Sequence, residues 1–214
     1  MADRFYREPV SIVQGSDEWH AARLGDVTAS RIDAVMAKGK GGAPSKTRAT
    51  YMGELIAERL SGIPYPHFQS AAMQHGTETE AEARAAYAML RDPVEQTGYV
   101  QHPHMDRTGA SPDGLVGETG LVEFKCPNSS THIATLRGAK IDRGYLLQMQ
   151  WQMACTGRRW CDFVSYDPRI GADHCIAIQR VSADHEWIGD IEDEVQAFLV
   201  EMDEAIADLN RIAA

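Results

Sequence analysis

The feature that most constrains this chain is a pair of short segments, Ser-Pro-Asp-Gly at residues 111–114 and Leu-Val-Glu-Phe-Lys at residues 121–125. The second segment is an apolar run typical of a strand. Side chains alternate between the two faces of a strand, so Glu123 and Lys125 share one face. A tight hairpin between the segments can bring Asp113 beside them. Two carboxylates and a lysine in one place suit a divalent metal ion and an activated water.

The same pattern has a purely structural interpretation. A Glu-x-Lys pair in a strand is often an exposed and weak ion pair, and Asp-Gly is a frequent turn dipeptide. The apolar neighbours Leu121, Val122, Phe124 and Cys126 instead favour a half-buried strand. An unpaired lysine would be costly there, so the combination favours a functional site.

The charge is distributed unevenly along the chain. The net charge is −10, which by itself argues against a protein that binds nucleic acid. Residues 181–214, however, carry ten acidic residues and one arginine, whereas residues 1–180 carry 21 acidic and 20 basic residues. The first 180 residues can therefore form a local basic patch for phosphate.

The cysteines and the apolar runs bear on the cellular compartment in which the protein is expected. The four cysteines include no CxxC pair, which predicts buried reduced thiols rather than a zinc site or disulfides. No apolar run approaches the ~20 residues of a membrane span. The N-terminus has no apolar signal segment, so we expect a cytoplasmic protein without a membrane partner.

The order of helix and strand patterns predicts one α/β domain over residues 1–214, with a central mixed β-sheet flanked by helices. We divide it into N-terminal helices with a basic loop (1–62), a catalytic core (72–181) and an acidic C-terminal helix (182–211). Helices are predicted at 50–60, 74–90, 142–156 and 184–209. Strands are predicted at 97–102, 110–116, 121–126, 160–166 and 175–181.

Phosphodiester hydrolysis needs charge neutralisation at phosphorus and an attacking hydroxide, and Mg²⁺ can supply both. Asp113 and Glu123 match the one or two carboxylates that usually hold this ion, and the main-chain carbonyl of Phe124 is a further candidate ligand. Lys125 could orient or deprotonate the water, or stabilise developing charge.

Two helical residues could complete this site. Glu80 shares a helix face with Ala83 and Tyr87, so it is expected to point inward and could serve a second metal ion. Gln148 could hydrogen-bond water or phosphate from a neighbouring helix.

Residues 37–48 form a Gly-rich segment with four basic residues and no acidic ones. It could be an ordinary connection, or a loop in which Lys38, Lys40 and Lys46 touch a phosphate backbone. The sequence leaves both interpretations open.

Taken in order, the motifs resemble those of the lambda-exonuclease family of phage nucleases and its YqaJ-like viral recombinase relatives, within the PD-(D/E)xK superfamily. The resemblance extends from about residue 10 to about residue 208. It is carried by Trp19, Arg23-Leu24-Gly25, Thr28-Ala29-Ser30, Gly76, Glu80, Ser111-Pro112-Asp113-Gly114, Glu123-Phe124-Lys125-Cys126-Pro127, Gln148 and Tyr166-Asp167-Pro168-Arg169.

The resemblance implies a restriction-endonuclease-like core and a 5′-to-3′ exonuclease. Such an enzyme degrades one strand of linear double-stranded DNA to 5′-phosphomononucleotides and leaves 3′ single-stranded tails. It would use Mg²⁺, with two ions per site and Mn²⁺ as a substitute. A homotrimeric ring, a single-strand annealing protein as partner and a phage or prophage origin in a bacterial host are also implied.

The resemblance also implies residue roles. Asp113, Glu123 and Lys125 match the catalytic core, Glu80 matches a helix carboxylate, and Gln148 matches an active-site glutamine.

Further matches concern the DNA end. Arg23, Ser30 and Ser111 match residues that hold the terminal 5′-phosphate, and Met73 matches an apolar wedge at the terminal base pair. Thr131 departs from the pattern, because the family has an arginine six residues after the catalytic lysine. A hydroxyl, His132 or Arg137 replaces that arginine, or the grip on the phosphate is weaker.

Two other functions compete with the exonuclease. An endonuclease of the restriction or junction-resolving type would use the same Asp and Glu-x-Lys chemistry. A non-catalytic DNA-binding module on the same scaffold is the third, and the intact Asp113, Glu123 and Lys125 argue against it.

Overall fold

The computed structural model describes residues 12–42, 45–66 and 71–213, without the side chains of 71–73 and 77, and these residues form helices and two β-sheets. The helices of this part are α1 (Asp17–Ala22), α2 (Ile32–Val35), α3 (Lys46–Ser61), α4 (Ala71–Leu90), α5 (Ser129–Leu136), α6 (Arg143–Thr156) and α7 (His185–Ala213). The strands are β1 (Val27–Thr28), β2 (Val94–Glu95), β3 (Val100–Gln101), β4 (Thr108–Ala110), β5 (Gly114–Val116), β6 (Gly120–Lys125), β7 (Trp160–Tyr166) and β8 (Ile176–Ser182).

Residues with clear capping chemistry fix the ends of the two helices that flank the site. Ser45 caps α3 by accepting a hydrogen bond from the Arg48 amide, and Asp142 caps α6 by accepting one from the Gly144 amide. Each helix ends at a glycine in the left-handed conformation, Gly62 with φ 71° and Gly157 with φ 67°.

The main sheet has five strands in the order β2-β5-β6-β7-β8. Strands β6 and β7 are parallel and the other pairs are antiparallel, so the predicted mixed sheet flanked by helices is confirmed. On one face, Val122 and Phe124 pack with Ala83 and Tyr87 of α4. On the other face, the core cluster consists of Leu115, Leu121, Cys161 and Phe163 of the sheet with Met149 and Met153 of α6. Glu123 and Lys125 share the face of Leu121, so they point toward α6.

A second sheet has three strands in the order β1-β4-β3. The predicted strand 110–116 is wrong as one element, because the chain leaves this sheet after Ala110 and joins the main sheet at Gly114. Pro112 has no N–H to donate to a ladder, which favours an interruption at this point. Residues 111–113 therefore form the junction between the two sheets.

The C-terminal helix α7 packs along the domain through one apolar face. Ile191, Val195, Phe198 and Met202 of this face are fully buried. Its acidic residues lie mainly on the exposed face, as the periodicity predicts. None of the described helices is long and apolar enough to cross a membrane.

Candidate active site

The junction between the sheets places the Asp113 carboxylate against β6. Pairing of β5 with β6 ends at Gly114 opposite Val122. Beyond that point, Oδ2 of Asp113 accepts a hydrogen bond of 2.7 Å from the amide of Phe124. A side-chain carboxylate thus takes the place of a strand carbonyl, which brings it next to Glu123 and Lys125.

Glu123 is buried, with 1% of its surface exposed, and both of its carboxylate oxygens accept hydrogen bonds. Its Oε1 accepts hydrogen bonds from Lys125 Nζ at 2.7 Å and from Gln148 Nε2 at 2.6 Å. Its Oε2 accepts one from Gln152 Nε2 at 2.6 Å. The spacing of four residues places Gln148 and Gln152 on one face of α6, but the sequence led us to assign a role to Gln148 alone.

Lys125 is a cation in this arrangement. Its ammonium group lies 2.7 Å from Oε1 of Glu123 and 4.7 Å from the centroid of the Tyr145 ring. Burial alone lowers the pKa of Lys125, but the carboxylates of Glu123 and Asp113 more than offset this and raise it above its ordinary value. The group is therefore arranged to orient water or stabilise negative charge rather than to accept a proton.

Glu80 extends from α4 toward the same cluster. It is half-buried and accepts a hydrogen bond of 2.5 Å from Arg84 Nη2. Burial and, to a lesser degree, the charge of Glu123 raise the pKa of Glu80, and Arg84 opposes this. Burial and the charges of Glu123 and Glu80 likewise raise the pKa of Asp113 well above its ordinary value. Three carboxylates thus gather with too little positive charge to balance them.

The donor set fits Mg²⁺ in its chemistry. Carboxylate and carbonyl oxygens are the ligands that this ion prefers, and it is usually held by one or two carboxylates with water and substrate phosphate. Among the described residues, no three His, Cys, Asp or Glu side chains could hold a metal ion by themselves. The carboxylates of Asp113 and Glu123 supply the number of ligands that Mg²⁺ usually takes from protein, and the excess negative charge favours a cation.

A cavity of about 460 Å³ lies beside α1 and α3, and Arg23 lines it. The Arg23 guanidinium stacks on the Trp19 ring at 4.0 Å and forms no hydrogen bond or ion pair with any described residue. Arg31, which also lines the cavity, is paired with Glu54 at 3.0 Å. Burial lowers the pKa of Arg23, and the nearby Glu58 and Asp26, which line the same cavity, only partly oppose this.

Ser30 and Ser111 follow closely after the ends of β1 and β4. Parallel pairing of Thr28 with Gly109 places the C-terminal ends of β1 and β4 at one edge of the small sheet. Ser30 lines the cavity, and Ser111 accepts a hydrogen bond of 2.9 Å from Trp19 Nε1. Trp19 thus contacts both Arg23 and Ser111, and Ser30 lines the same cavity. We did not assign Trp19 to a site from the sequence.

The residues near Thr131 do not complete this cavity. Thr131 is exposed in the first turn of α5, and Arg137 is exposed at its end. His132 is fully buried, with its ring nitrogens 2.7 Å from Ser165 Oγ and 2.9 Å from the carbonyl oxygen of His174. None of the three lines the cavity, and His132 is already committed to the core.

The basic segment is only partly a loop. Lys38 and Lys40 are exposed before α3, and Lys46 is the first residue of that helix. Arg48, counted among the four bases of the segment, is buried and forms a bidentate ion pair with Glu201 at 2.7 and 2.8 Å. Arg48 joins α3 to α7 and is not available to phosphate. The side chain of Met73 lies outside those that the structure describes.

The crowding of carboxylates predicts that Asp113→Asn stabilises the metal-free protein. Because the folded protein binds the Asp113 proton more tightly than the unfolded chain does, stability is lost as pH rises through the raised pKa. Asparagine removes that charge and keeps an acceptor for the Phe124 amide. We expect the melting temperature in EDTA at about pH 8 to rise by at least 2–4 °C, which corresponds to about 1 kcal/mol for a chain of this size.

The exposed Asp106 provides the control, since Asp106→Asn removes the same charge away from the cluster. The gain from Asp113→Asn should shrink at acidic pH, where Asp113 takes up its proton. A lower melting temperature than wild type at pH 8 would contradict this account of the cluster.

Comparison with known proteins identifies relatives of this chain. A model of the YqaJ-like viral recombinase domain matches residues 18–159. The crystal structure of an alkaline exonuclease (LHK-Exo) from Laribacter hongkongensis is 49% identical, covers 92% of this chain and 98% of that chain, and superposes with a TM-score of 0.86. A structure of LHK-Exo in complex with dAMP gives the same values.

A phage-related exonuclease from Haemophilus somnus 129PT is 18% identical, covers 86% of this chain and 96% of that chain, and has a TM-score of 0.65, so it is similar in fold. No curated protein gives a significant match. The fold is the restriction-endonuclease-like one expected from the sequence. The family model and the 49% identity together show that this chain belongs to the YqaJ-like viral recombinase family.

Proposed function

We propose that this protein is a Mg²⁺-dependent exonuclease that degrades one strand of linear double-stranded DNA in the 5′-to-3′ direction. Its products are 5′-phosphomononucleotides and a duplex with 3′ single-stranded tails for recombination. The observation that carries the proposal is the hydrogen bond from Trp19 to Ser111, which connects the Arg23 cavity to the carboxylate cluster of Asp113. A site that grips a terminal phosphate beside a hydrolytic centre is suited to DNA ends.

The relatives support the same activity. LHK-Exo is an alkaline exonuclease and has been crystallised with dAMP, a deoxynucleoside monophosphate. At 49% identity over nearly the whole of both chains, the chemistry is expected to be shared. The viral recombinase family model supports a phage or prophage origin and a role in recombination within a bacterial host.

The metal ligands that we propose are Asp113, Glu123 and the main-chain carbonyl of Phe124, with Glu80 serving a second ion. Mn²⁺ should replace Mg²⁺, because both accept oxygen ligands. When bound, such ions neutralise the phosphate and lower the pKa of water.

The remaining chemistry is assigned to side chains. Water attacks phosphorus, the bond from phosphorus to the 3′-oxygen breaks, and that oxygen takes up a proton. Lys125 orients the water or stabilises the charge that develops on the phosphate oxygens. Gln148 hydrogen-bonds the water or the phosphate from α6.

The DNA end is held on the other side of the junction. Arg23, Ser30 and Ser111 bind the terminal 5′-phosphate through charge-assisted hydrogen bonds. Met73 separates the terminal base pair, and Lys38, Lys40 and Lys46 contact the backbone further along.

The proposed assembly is a ring of three identical subunits around the DNA, working with a single-strand annealing protein. A ring explains how an enzyme with a net charge of −10 stays on DNA. The acidic face of α7 is directed away from its own domain, which is compatible with a channel lined by other elements.

The first prediction from this proposed function concerns substrate topology. With Mg²⁺, linear duplex should be degraded, and closed circular duplex should remain intact on a gel. Asp113→Asn, Glu123→Gln and Lys125→Met should each lower the rate by at least ~10²-fold, because each removes a ligand or the cation of the site. Glu118→Gln, in the exposed turn between β5 and β6, is the matched control. Cleavage of the circle would indicate an endonuclease, and a fully active Lys125→Met would remove that residue from the mechanism.

The second prediction concerns the DNA end. Wild type should degrade 5′-phosphorylated duplex faster than 5′-hydroxyl duplex, because the Arg23 guanidinium lines the cavity without a hydrogen bond or ion pair to a described residue. Arg23→Met keeps much of the contact with Trp19 and should abolish most of the preference, and Arg23→Lys should keep part of it. Arg137→Met should leave the preference unchanged, since Arg137 lies outside the cavity. Equal wild-type rates on both substrates would disprove the phosphate site.

The third prediction concerns the basic segment. Replacing Lys38, Lys40 and Lys46 together by Gln should weaken DNA binding and reduce the slope of log K against log salt by up to about 3. A variant with Gln at Arg91, Lys140 and Arg211 removes the same charge from other exposed positions. Identical salt slopes for wild type and the lysine variant would make the segment an ordinary connection.

The fourth prediction concerns assembly. Native mass spectrometry should give three times the subunit mass of 23.6 kDa. A closed ring repeats one heterologous contact around its axis. A monomer at micromolar concentration would reject the ring and the account of how the enzyme remains on DNA.

A further inference from the structure

Two glutamines of α6, rather than one, hold the Glu123 carboxylate. Nε2 of Gln148 lies 2.6 Å from Oε1, and Nε2 of Gln152 lies 2.6 Å from Oε2. A carboxylate only accepts hydrogen bonds, so both amide nitrogens are donors. The second contact has no counterpart among the roles assigned so far.

The two contacts differ in their surroundings. Gln148 is half-buried and shares Oε1 of Glu123 with the ammonium group of Lys125. Gln152 has no exposed surface and is the donor to Oε2. The half-buried Gln148 can exchange its hydrogen bond to Glu123 for one to water or substrate. The fully buried Gln152 has no water or substrate within reach to replace Glu123.

The amide of Gln152 is expensive to bury. Its Oε1 has no hydrogen-bond partner among the described residues, and an unpaired buried carbonyl is unfavourable. Methionine fills a similar volume without that cost, and Met149 and Met153 do so on the same helix. The contribution that distinguishes a glutamine at this position is therefore its donor contact with Glu123.

We propose that Gln152 is a positioning residue that fixes Oε2 of Glu123. The other oxygen, Oε1, can then give up its hydrogen bonds from Lys125 and Gln148 and bind a divalent cation. This inference rests on the proposed function, because it concerns the same carboxylate. Hydrogen bonds that orient a metal-binding carboxylate typically change metal affinity or activity by 10–100-fold.

The test compares Gln152→Met with wild type in two measurements. Calorimetric titration of the metal-free protein with Mn²⁺ should show affinity about 10-fold lower or more in the variant. On linear duplex, kcat should fall at saturating Mg²⁺ while KM for DNA stays within about 2-fold, because the 5′-phosphate site is intact.

Gln150→Met is the matched control. Gln150 lies on the same helix with 2% exposure, and it bonds the carbonyl of Ser182 at 3.0 Å and the amide of Asp184 at 2.9 Å. This variant loses two partly buried hydrogen bonds that do not involve the carboxylate cluster. It should melt at a lower temperature than wild type and keep wild-type Mn²⁺ affinity.

If Gln152→Met does not fold, a second variant at the same position provides the test. Gln152→Asn keeps an amide in the core but withdraws the donor by one methylene, and it should lower Mn²⁺ affinity in the same direction. Wild-type Mn²⁺ affinity and kcat in a folded Gln152 variant would overturn the inference. Equal losses of Mn²⁺ affinity in the Gln150 and Gln152 variants would also overturn it. A wild-type protein that binds no Mn²⁺ and needs no Mg²⁺ would instead overturn the proposed function, and this inference with it.

Discussion

The hydrogen bond from the Phe124 amide to the Asp113 carboxylate is the interaction on which the architecture of the site depends. It forms where β5 stops pairing with β6, so the junction between the two sheets is closed by a side chain instead of by main chain. The same junction carries Ser111, which bonds Trp19 at the wall of the cavity. The junction at residues 111–113 thus places the Asp113 carboxylate on the side of the main sheet and the candidate phosphate site on the side of the small sheet.

Burial of the carboxylates and the repulsion between them are the cost of this arrangement. Burial raises the pKa of Asp113 and of Glu80, and the neighbouring carboxylates add to this shift. Lys125 and the amides of α6 offset part of the cost at Glu123, and Arg84 offsets part at Glu80. A cluster of this kind lowers the stability of the metal-free protein and favours cation binding, which is the expected relation between stability and function at a site.

The sequence predicts what local chemistry decides and misses what tertiary packing decides. The helix predicted at 142–156 is observed as Arg143–Thr156, because Asp142 and Gly157 cap it, and the strand at 160–166 matches Trp160–Tyr166. The strand predicted at 110–116 is two strands, since apolar alternation continues across Pro112 while the chain changes sheets. From the sequence, Trp19 was given no place in a site and Arg48 was counted in the basic segment. Trp19 lines the cavity and Arg48 is buried against Glu201, because distant partners determine both environments. Gln152 could have been found from its spacing to Gln148, whereas its contact with Glu123 requires the packing of α6 on the sheet.

The central claim is that one junction serves both a metal-binding cluster and a terminal-phosphate site. A crystal structure with Ca²⁺, which occupies oxygen sites without supporting rapid hydrolysis, and a short 5′-phosphorylated duplex tests it most directly. We expect the cation bound by Asp113 and Glu123 and the terminal phosphate against Arg23, on the two sides of residues 111–113. A cation bound away from Asp113, or a duplex end that does not reach Arg23, would contradict the account.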